Sequence, residues 1–150
     1  MLSGHRLLLA PTVCNESLYI YEDLSRTNPR SIDRGFIRSQ TNHSEASLSA
    51  IEAARSVVFA QYVDDGEAET IAIAAERGIP LLTDDNGALR LAPTLSIETI
   101  TTLDLMHAWA QRESNLDVRT ALQRMRARAN YAPPRKHPLR KWYSNLTEEH

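Results

Sequence analysis

Carboxylates placed where strands of a parallel sheet would end are the residues of this chain best suited to chemistry. In the stretch from Asp64 to Asp85, Glu67 opens a small-residue helix and Thr83-Asp84-Asp85 closes the apolar strand that follows. Asp85 lies eighteen residues beyond Glu67. A helix of about three turns, a glycine stop and a short strand bring the chain back to the edge where the helix began. Glu67 and Asp85 can therefore face one another. Glu16 follows an earlier strand and sits in the first turn of its own helix. In open α/β sheets this carboxyl edge is where ligands bind. Acids gathered there suit Mg²⁺ or Mn²⁺, which take oxygen ligands and keep several waters. Glu16, Glu67 and Asp85 are the expected metal ligands and catalytic groups, with Thr83 and Asp84 in support. Such a site would bind a scissile phosphate and activate a water for in-line attack, without a covalent intermediate.

Each acid also has a plainer use. Glu16 and Glu67 are favourable charges near helix N-termini, and Asp84-Asp85 can form a turn and N-cap before Asn86. Competing chemistries find little support. His5, His43, His107, His137 and His150 are scattered without zinc-ligand spacing, and no Ser-His-Asp or Cys-His grouping stands out.

The elements that must position these acids alternate. Arg6 to Ala10 reads as a short buried strand ended by Pro11, and Thr12 can cap a helix carrying Val13, Glu16, Ser17 and Ile20. Ser25 to Arg34 reads as a loop, Gly35 to Gln40 as a strand, and Ser44 to Phe59 as a helix with Ala46, Leu48, Ile51, Ala54, Val57 and Val58 at helical spacing. Ala68 to Arg77 is a helix stopped by Gly78. The continuous apolar run from Ile79 to Leu82 suits a strand covered on both faces. Asn86 to Leu91 reads as a short helix and Leu95 to Ile100 as a further strand. Two C-terminal helices follow, near Leu103–Arg112 and Leu116–Ala129, each opened by a capping-box pattern at Thr101–Asp104 and Ser114–Asp117. Pro133-Pro134 ends the second, and from Arg135 the tail is expected to be extended and anchored by Trp142-Tyr143. The order predicts an α/β fold with a parallel sheet, strands near 6–10, 35–40, 79–83 and 95–100, and a helical C-terminal extension. Leu8, Leu9, Ile71, Ala74, Leu81, Leu82 and Ile97 are the expected core.

At 150 residues and net charge −2 the chain has a one-domain length and can bury a sizeable core. No run of about 18 apolar residues is present to span a membrane, and the single Cys14 cannot form an internal disulfide. A cytoplasmic location is the expectation. Charge is distributed unevenly: from Arg119 to Lys141 the chain carries eight basic residues and no acid. Arg124, Arg126 and Arg128 are candidate RNA-phosphate contacts there, although a solvated charge run serving solubility reads the same way.

The acid, small-residue helix and Thr-x-Asp strand end, carried here by Glu67, Ala72, Ala74, Thr83 and Asp85, resemble the PIN-domain nucleases, including VapC-like toxins. Ala10-Pro11 and Glu16 look like that family's strand–Pro–helix acid, and Gly66-Glu67-Ala68-Glu69 resembles a subgroup with Glu for the usual Asp. The tail from Pro133 to Leu139 with Trp142 looks like the end of some bacterial members. The resemblance implies a PIN-like three-layer α/β/α domain over residues 1–130 and a basic, Pro-containing tail over 131–150. It also implies an Mg²⁺- or Mn²⁺-dependent endoribonuclease, a toxin of a toxin–antitoxin pair, with RNA, a cognate antitoxin and a second copy as partners. One departure matters. PIN domains usually open with a central strand ending in Asp, the first metal ligand, and nothing before Arg6 can supply it. An upstream start or truncation is the expected cause, since Glu16, Glu67 and Asp85 remain. A degenerate remnant and a strand supplied by a partner are the other two. A non-catalytic PIN-like module that binds nucleic acid or protein is the alternative function, and an interaction protein working through its basic C-terminal helix is a third.

Overall fold

Three consecutive leucines form strand β1 (Leu7–Leu9), and Pro11 both ends it and starts helix α1 (Pro11–Glu16). Proline suits that first helical position, where its missing N–H is no loss. The computed structural model describes residues 6–16, 19–21, 29–31, 42–112 and 115–148. Helix α1 is shorter than expected and ends on Glu16, which lies in its last turn and not, as expected, in its first; Tyr19–Tyr21 forms strand β2. Strand β3 (Pro29–Ser31), inside the expected loop, pairs with β2. The strand expected over residues 35–40 lies outside the described residues.

The chain forms two units, residues 1–20 with 31–100, and residues 21–30 with 101–150. In the first, β4 (His43–Glu45) runs parallel to β1, with Leu8 opposite Ser44. Helix α2 spans only Ala50–Phe59, not the stretch from Ser44. Its start is fixed by a capping box: the Ser49 hydroxyl accepts the Glu52 N–H and Glu52 accepts the Ser49 N–H. Ile51, Val57 and Val58 are exposed, while Glu52 and Phe59 are buried. Helix α3 (Asp65–Arg77) is the central element, burying Ala68, Ile71, Ala72, Ile73 and Ala74, and it ends on Gly78 at φ 61°. That left-handed stop costs glycine little.

Strand β5 (Leu81–Leu82) follows, then α4 (Asn86–Leu91), a 3₁₀ turn (Ala92–Leu95) and strand β6 (Thr99–Ile100). The last expected strand is thus cut to two residues, Pro93 at the head of the turn having tightened the chain. β6 runs parallel to β5, with Leu81 opposite Thr99. Of the expected core, Ile71, Ala74, Leu81 and Ile97 are buried. Leu8 and Leu9 are half-buried and Leu82 is exposed. These are the α/β architecture and parallel pairing expected from the order of elements.

The second unit packs α5 (Thr102–Ala110), α6 (Asn115–Ala129) and α7 (Arg140–Thr147) around Leu103, Val118, Leu122 and Tyr143. The tail from Arg135 is therefore partly helical, not extended. Leu139, Tyr143 and Leu146 fall at helical spacing and pack into this core. Tyr143 does anchor it: the ring is buried and its hydroxyl donates to the Tyr131 carbonyl at 2.9 Å.

Candidate functional site

The N-terminal turn of α3 carries Asp64 and Glu67 and lies against Glu16. Asp64 caps it, its Oδ1 accepting the Glu67 N–H at 3.1 Å. Glu67 is half-buried one residue past Gly66. A Cβ on Gly66 would stand 3.2 Å from Glu16 Oε2, 3.4 Å from Val13 Cγ2 and 3.8 Å from Asp64 Oδ1. The bare backbone at residue 66 is what lets the Glu16 carboxylate lie against this turn. Both Glu16 and Asp64 thereby meet the positive end of the α3 dipole.

Asp85 follows β5. The Thr83 N–H donates to the Ile100 carbonyl at 3.0 Å, and the Thr83 hydroxyl accepts the Asp85 N–H at 3.0 Å, which turns the chain sharply out of the strand. Asp85 Oδ1 then accepts the Ala88 N–H at 2.8 Å and caps α4. A Cβ on Gly87 would meet that oxygen at 2.9 Å and Val63 Cγ1 at 3.0 Å. Asp84 is exposed and engaged in an interaction of its own.

So Glu16 is brought to the Gly66-Glu67 turn, whereas Asp85 is engaged as the cap of α4. Among the described residues, however, no three His, Cys, Asp or Glu side chains stand at the spacing that holds a metal ion. In kind the donors fit Mg²⁺ or Mn²⁺, being carboxylate oxygens, and Mg²⁺ is held by one or two carboxylates with waters and substrate phosphates. In number and spacing they do not form a closed cage.

Sequence reading missed three working carboxylates. Asp64 shows the Asp-x-x-Glu spacing of a helix start, a signal that was present. Glu69 accepts the Thr12 N–H at 2.9 Å through Oε2, tying α3 to the first turn of α1 in the place of the expected Thr12 cap. Glu52 is buried against Arg77, whose hydrogen bonds, with the Ser49 N–H, hold its carboxyl at about 2, far below the usual range.

In the second unit Arg124 and Arg128 are exposed on one face of α6. Arg126 is exposed too but is partly committed, donating to the Thr147 carbonyl at 3.3 Å and its hydroxyl at 3.4 Å. His137 belongs to a network the sequence did not announce. The Leu139 N–H donates to its Nδ1, so Nε2 carries the proton toward the Thr101 hydroxyl at 3.0 Å, and Thr101 donates on to Asp104 at 2.7 Å. Burial raises the Asp104 carboxyl, but the Thr101 hydroxyl and N–H, with His137, hold it below its ordinary value.

A family model described as a PIN domain matches residues 4–138, so the chain belongs to the PIN-domain family. The match takes in Glu16, Glu67 and Asp85 and runs through α6. Comparisons with curated proteins and with solved structures give no match. PIN domains have a nuclease-type fold and generally use divalent metal ions. Among the described residues no helix is long and apolar enough to cross a membrane.

Proposed function

We propose that the protein is a metal-dependent ribonuclease that hydrolyses phosphodiester bonds, working as the toxin of a toxin–antitoxin pair. The observation that carries this reading is the Glu16 carboxylate lying against the Gly66-Glu67 turn of a PIN-family domain. In it Glu16, Glu67 and Asp85 would hold Mg²⁺ or Mn²⁺. A divalent ion held by these three carboxylates would supply Lewis-acid polarisation of the scissile phosphate and a lowered pKa for a bound water. The chain's part is positional. Gly66 leaves room for Glu16, Thr83 holds the turn that aims Asp85, and Asp64 fixes the backbone that carries Glu67. Arg124 and Arg128, with Arg126, supply phosphate contacts that carry no sequence information. RNA and an antitoxin protein are the partners, a second copy of the chain is a third, and the cytoplasm is the place of action.

The test is cleavage of single-stranded and structured RNA with Mg²⁺ or Mn²⁺, with EDTA, and with Glu16→Gln or Glu67→Gln. Cleavage should require the ion and fall at least about 100-fold in either variant, a loss of about 2.7 kcal/mol or more of transition-state stabilisation. A second reading, a non-catalytic module that binds nucleic acid or protein, is favoured by the structural duties of Asp64, Glu69 and Asp85 as caps. RNA binding with neither cleavage nor stabilisation by metal would establish it.

A further inference from the structure

Helix α2 carries an acid inward and apolar side chains outward, the reverse of what a surface helix does. Glu52 is buried along with Phe59 and is held by Arg77 through Nε at 2.6 Å. Ile51 is 60% exposed, Val57 71% and Val58 52%, and Tyr62, in the turn that follows, is 68% exposed. Among the described residues five large apolar side chains stand open to water, and these are four of them, with Leu82 the fifth. Apolar residues scattered singly over a surface need no explanation, but a cluster of them marks a contact surface.

The face is continuous and uncharged. Ile51, Ala54 and Val58 recur at i, i+3 and i+7, and Ala53 and Val57 form the row beside them. Both alanines are exposed as well. Small residues in the middle of a helix face let a second helix approach to about 8–10 Å between axes. Both charges of α2 are engaged by α3: Glu52 by Arg77, and Arg55 by Glu76, Nε to Oε1 at 2.8 Å. A molecule laid on this face therefore buries no unpaired charge of α2. The four large side chains leave on the order of 500 Å² of surface in water. Doubled in a two-fold contact, with the alanines and the rim added, that reaches the roughly 1,000 Å² from which specific interfaces begin.

We propose that this face of α2 is the contact between two copies of the chain. A second copy is the occupant that the surface fits, because an uncharged apolar face complements itself, and in a two-fold dimer the same patch serves on both sides. A partner selected by charge would find none here to read. The copies pack α2 against α2 antiparallel, with Ala54 near the two-fold axis and Ile51 of each copy opposite Val58 of the other. Ala54 lies at the middle of that row, and antiparallel axes oppose the two helix dipoles favourably. The proposal names the surface for the second copy in the functional reading. It is otherwise independent of cleavage, since it uses none of the acids at the start of α3.

The test is sedimentation velocity on the full chain from about 1 to 200 μM, where an interface of this size should carry the mass from one chain to two. Ile51→Lys and Val58→Glu each place a charge on the exposed face. Each should weaken dimerisation at least about tenfold and leave the far-UV circular dichroism of the monomer unchanged. An equimolar mixture of the two variants should dimerise again. The introduced charges, opposite in sign, then meet at one of the two contacts between positions 51 and 58, and the other contact is unaltered. The dilution series on the unaltered chain does not depend on either variant folding. A chain that stays monomeric throughout, leaving the face to a different protein, overturns the proposal. So does a dimer that neither substitution weakens, and so do two variants that stay monomeric when mixed. RNA cleavage is not a readout, so failure here leaves the nuclease reading standing, and a dimer without activity counts against that reading alone.

Discussion

Arg77 grips Glu52 through both carboxylate oxygens, Nε to Oε1 at 2.6 Å and Nη2 to Oε2 at 3.0 Å, and its Nη2 also reaches the Ser47 carbonyl at 2.8 Å. Glu52 is 2% exposed. The last turn of α3 is thereby locked to the first turn of α2, and one carboxylate serves as capping acid and ion-pair partner together. Bidentate, charge-assisted bonds of this kind are the strong ones.

The pair makes stability depend on acidity. Glu52 is held at about 2 when folded against 4.5 when free, so the unfolded chain binds the proton first as pH falls. Its contribution is complete above about 4.5 and is lost progressively as pH drops toward about 2. Glu52→Gln should destabilise the protein by about 1–3 kcal/mol at pH 7, part of the loss being softened because Arg77 is partly exposed. Urea unfolding of both proteins between pH 7 and pH 3 checks this: their midpoints should converge on acidification. A gap that widens instead would mean that Glu52 is not the acid-labile group.

Where a local signal was decisive, the sequence could be read directly. Gly78 stops α3, the Thr101–Asp104 box starts α5, and Asn86–Leu91 is a helix. Where tertiary pairing decided, it could not. The residues of β4 fit a helical pattern that Ser49 and Glu52 cut short, and no local signal reveals that an acid at residue 52 will find Arg77 across a hairpin. The apolar spacing of Ile51, Val57 and Val58 does not mark the buried side of α2: these three are exposed, and Glu52, bound to Arg77, is buried instead. For the acids, the spacing expectation did not foresee that Asp85 caps α4. That duty is a matter of one oxygen and one N–H.

Gly66→Ala separates packing from chemistry. A methyl there would stand 3.2 Å from Glu16 Oε2, the far end of a flexible side chain, and 3.4 Å from Val13 Cγ2. The carboxylate can swing aside, and alanine gains up to about 1 kcal/mol of helix propensity. Thermal unfolding should show unchanged or slightly higher stability. RNA cleavage should nevertheless fall, because Glu16 is displaced from the turn. Full cleavage by the variant would remove Glu16 from the proposed ligand set.

Asp85 offers a cleaner division, because its structural and proposed chemical duties need different things of the side chain. Capping needs an oxygen that accepts the Ala88 N–H, and asparagine supplies one about as well as aspartate. Holding a cation needs the charge. Asp85→Asn should therefore keep its stability within about 0.5 kcal/mol and lose cleavage, whereas Asp85→Ala should lose cleavage and about 1 kcal/mol of stability. Calorimetry on the three proteins beside an RNA-cleavage assay decides it. If asparagine cleaves as well as aspartate, the residue is a cap and nothing more.

The arginines of α6 can be told apart by salt. Arg124 and Arg128 lie on one exposed face, so each that touches a phosphate should add about one unit to the slope of log affinity against log salt concentration. Arg126 is tied to Thr147 at the end of α7, where it also favours a helix C-terminus electrostatically. Arg124→Ala and Arg128→Ala should each weaken RNA binding about equally for all sequences, flatten the salt dependence, and leave Tm unchanged. Arg126→Ala should instead lower Tm by a few degrees, about 0.5–1 kcal/mol, as the hold on α7 is lost. Fluorescence anisotropy at several salt concentrations, paired with thermal melts, reads both effects. An unchanged salt slope in the Arg124→Ala/Arg128→Ala double variant would mean that this basic face serves solubility and not RNA.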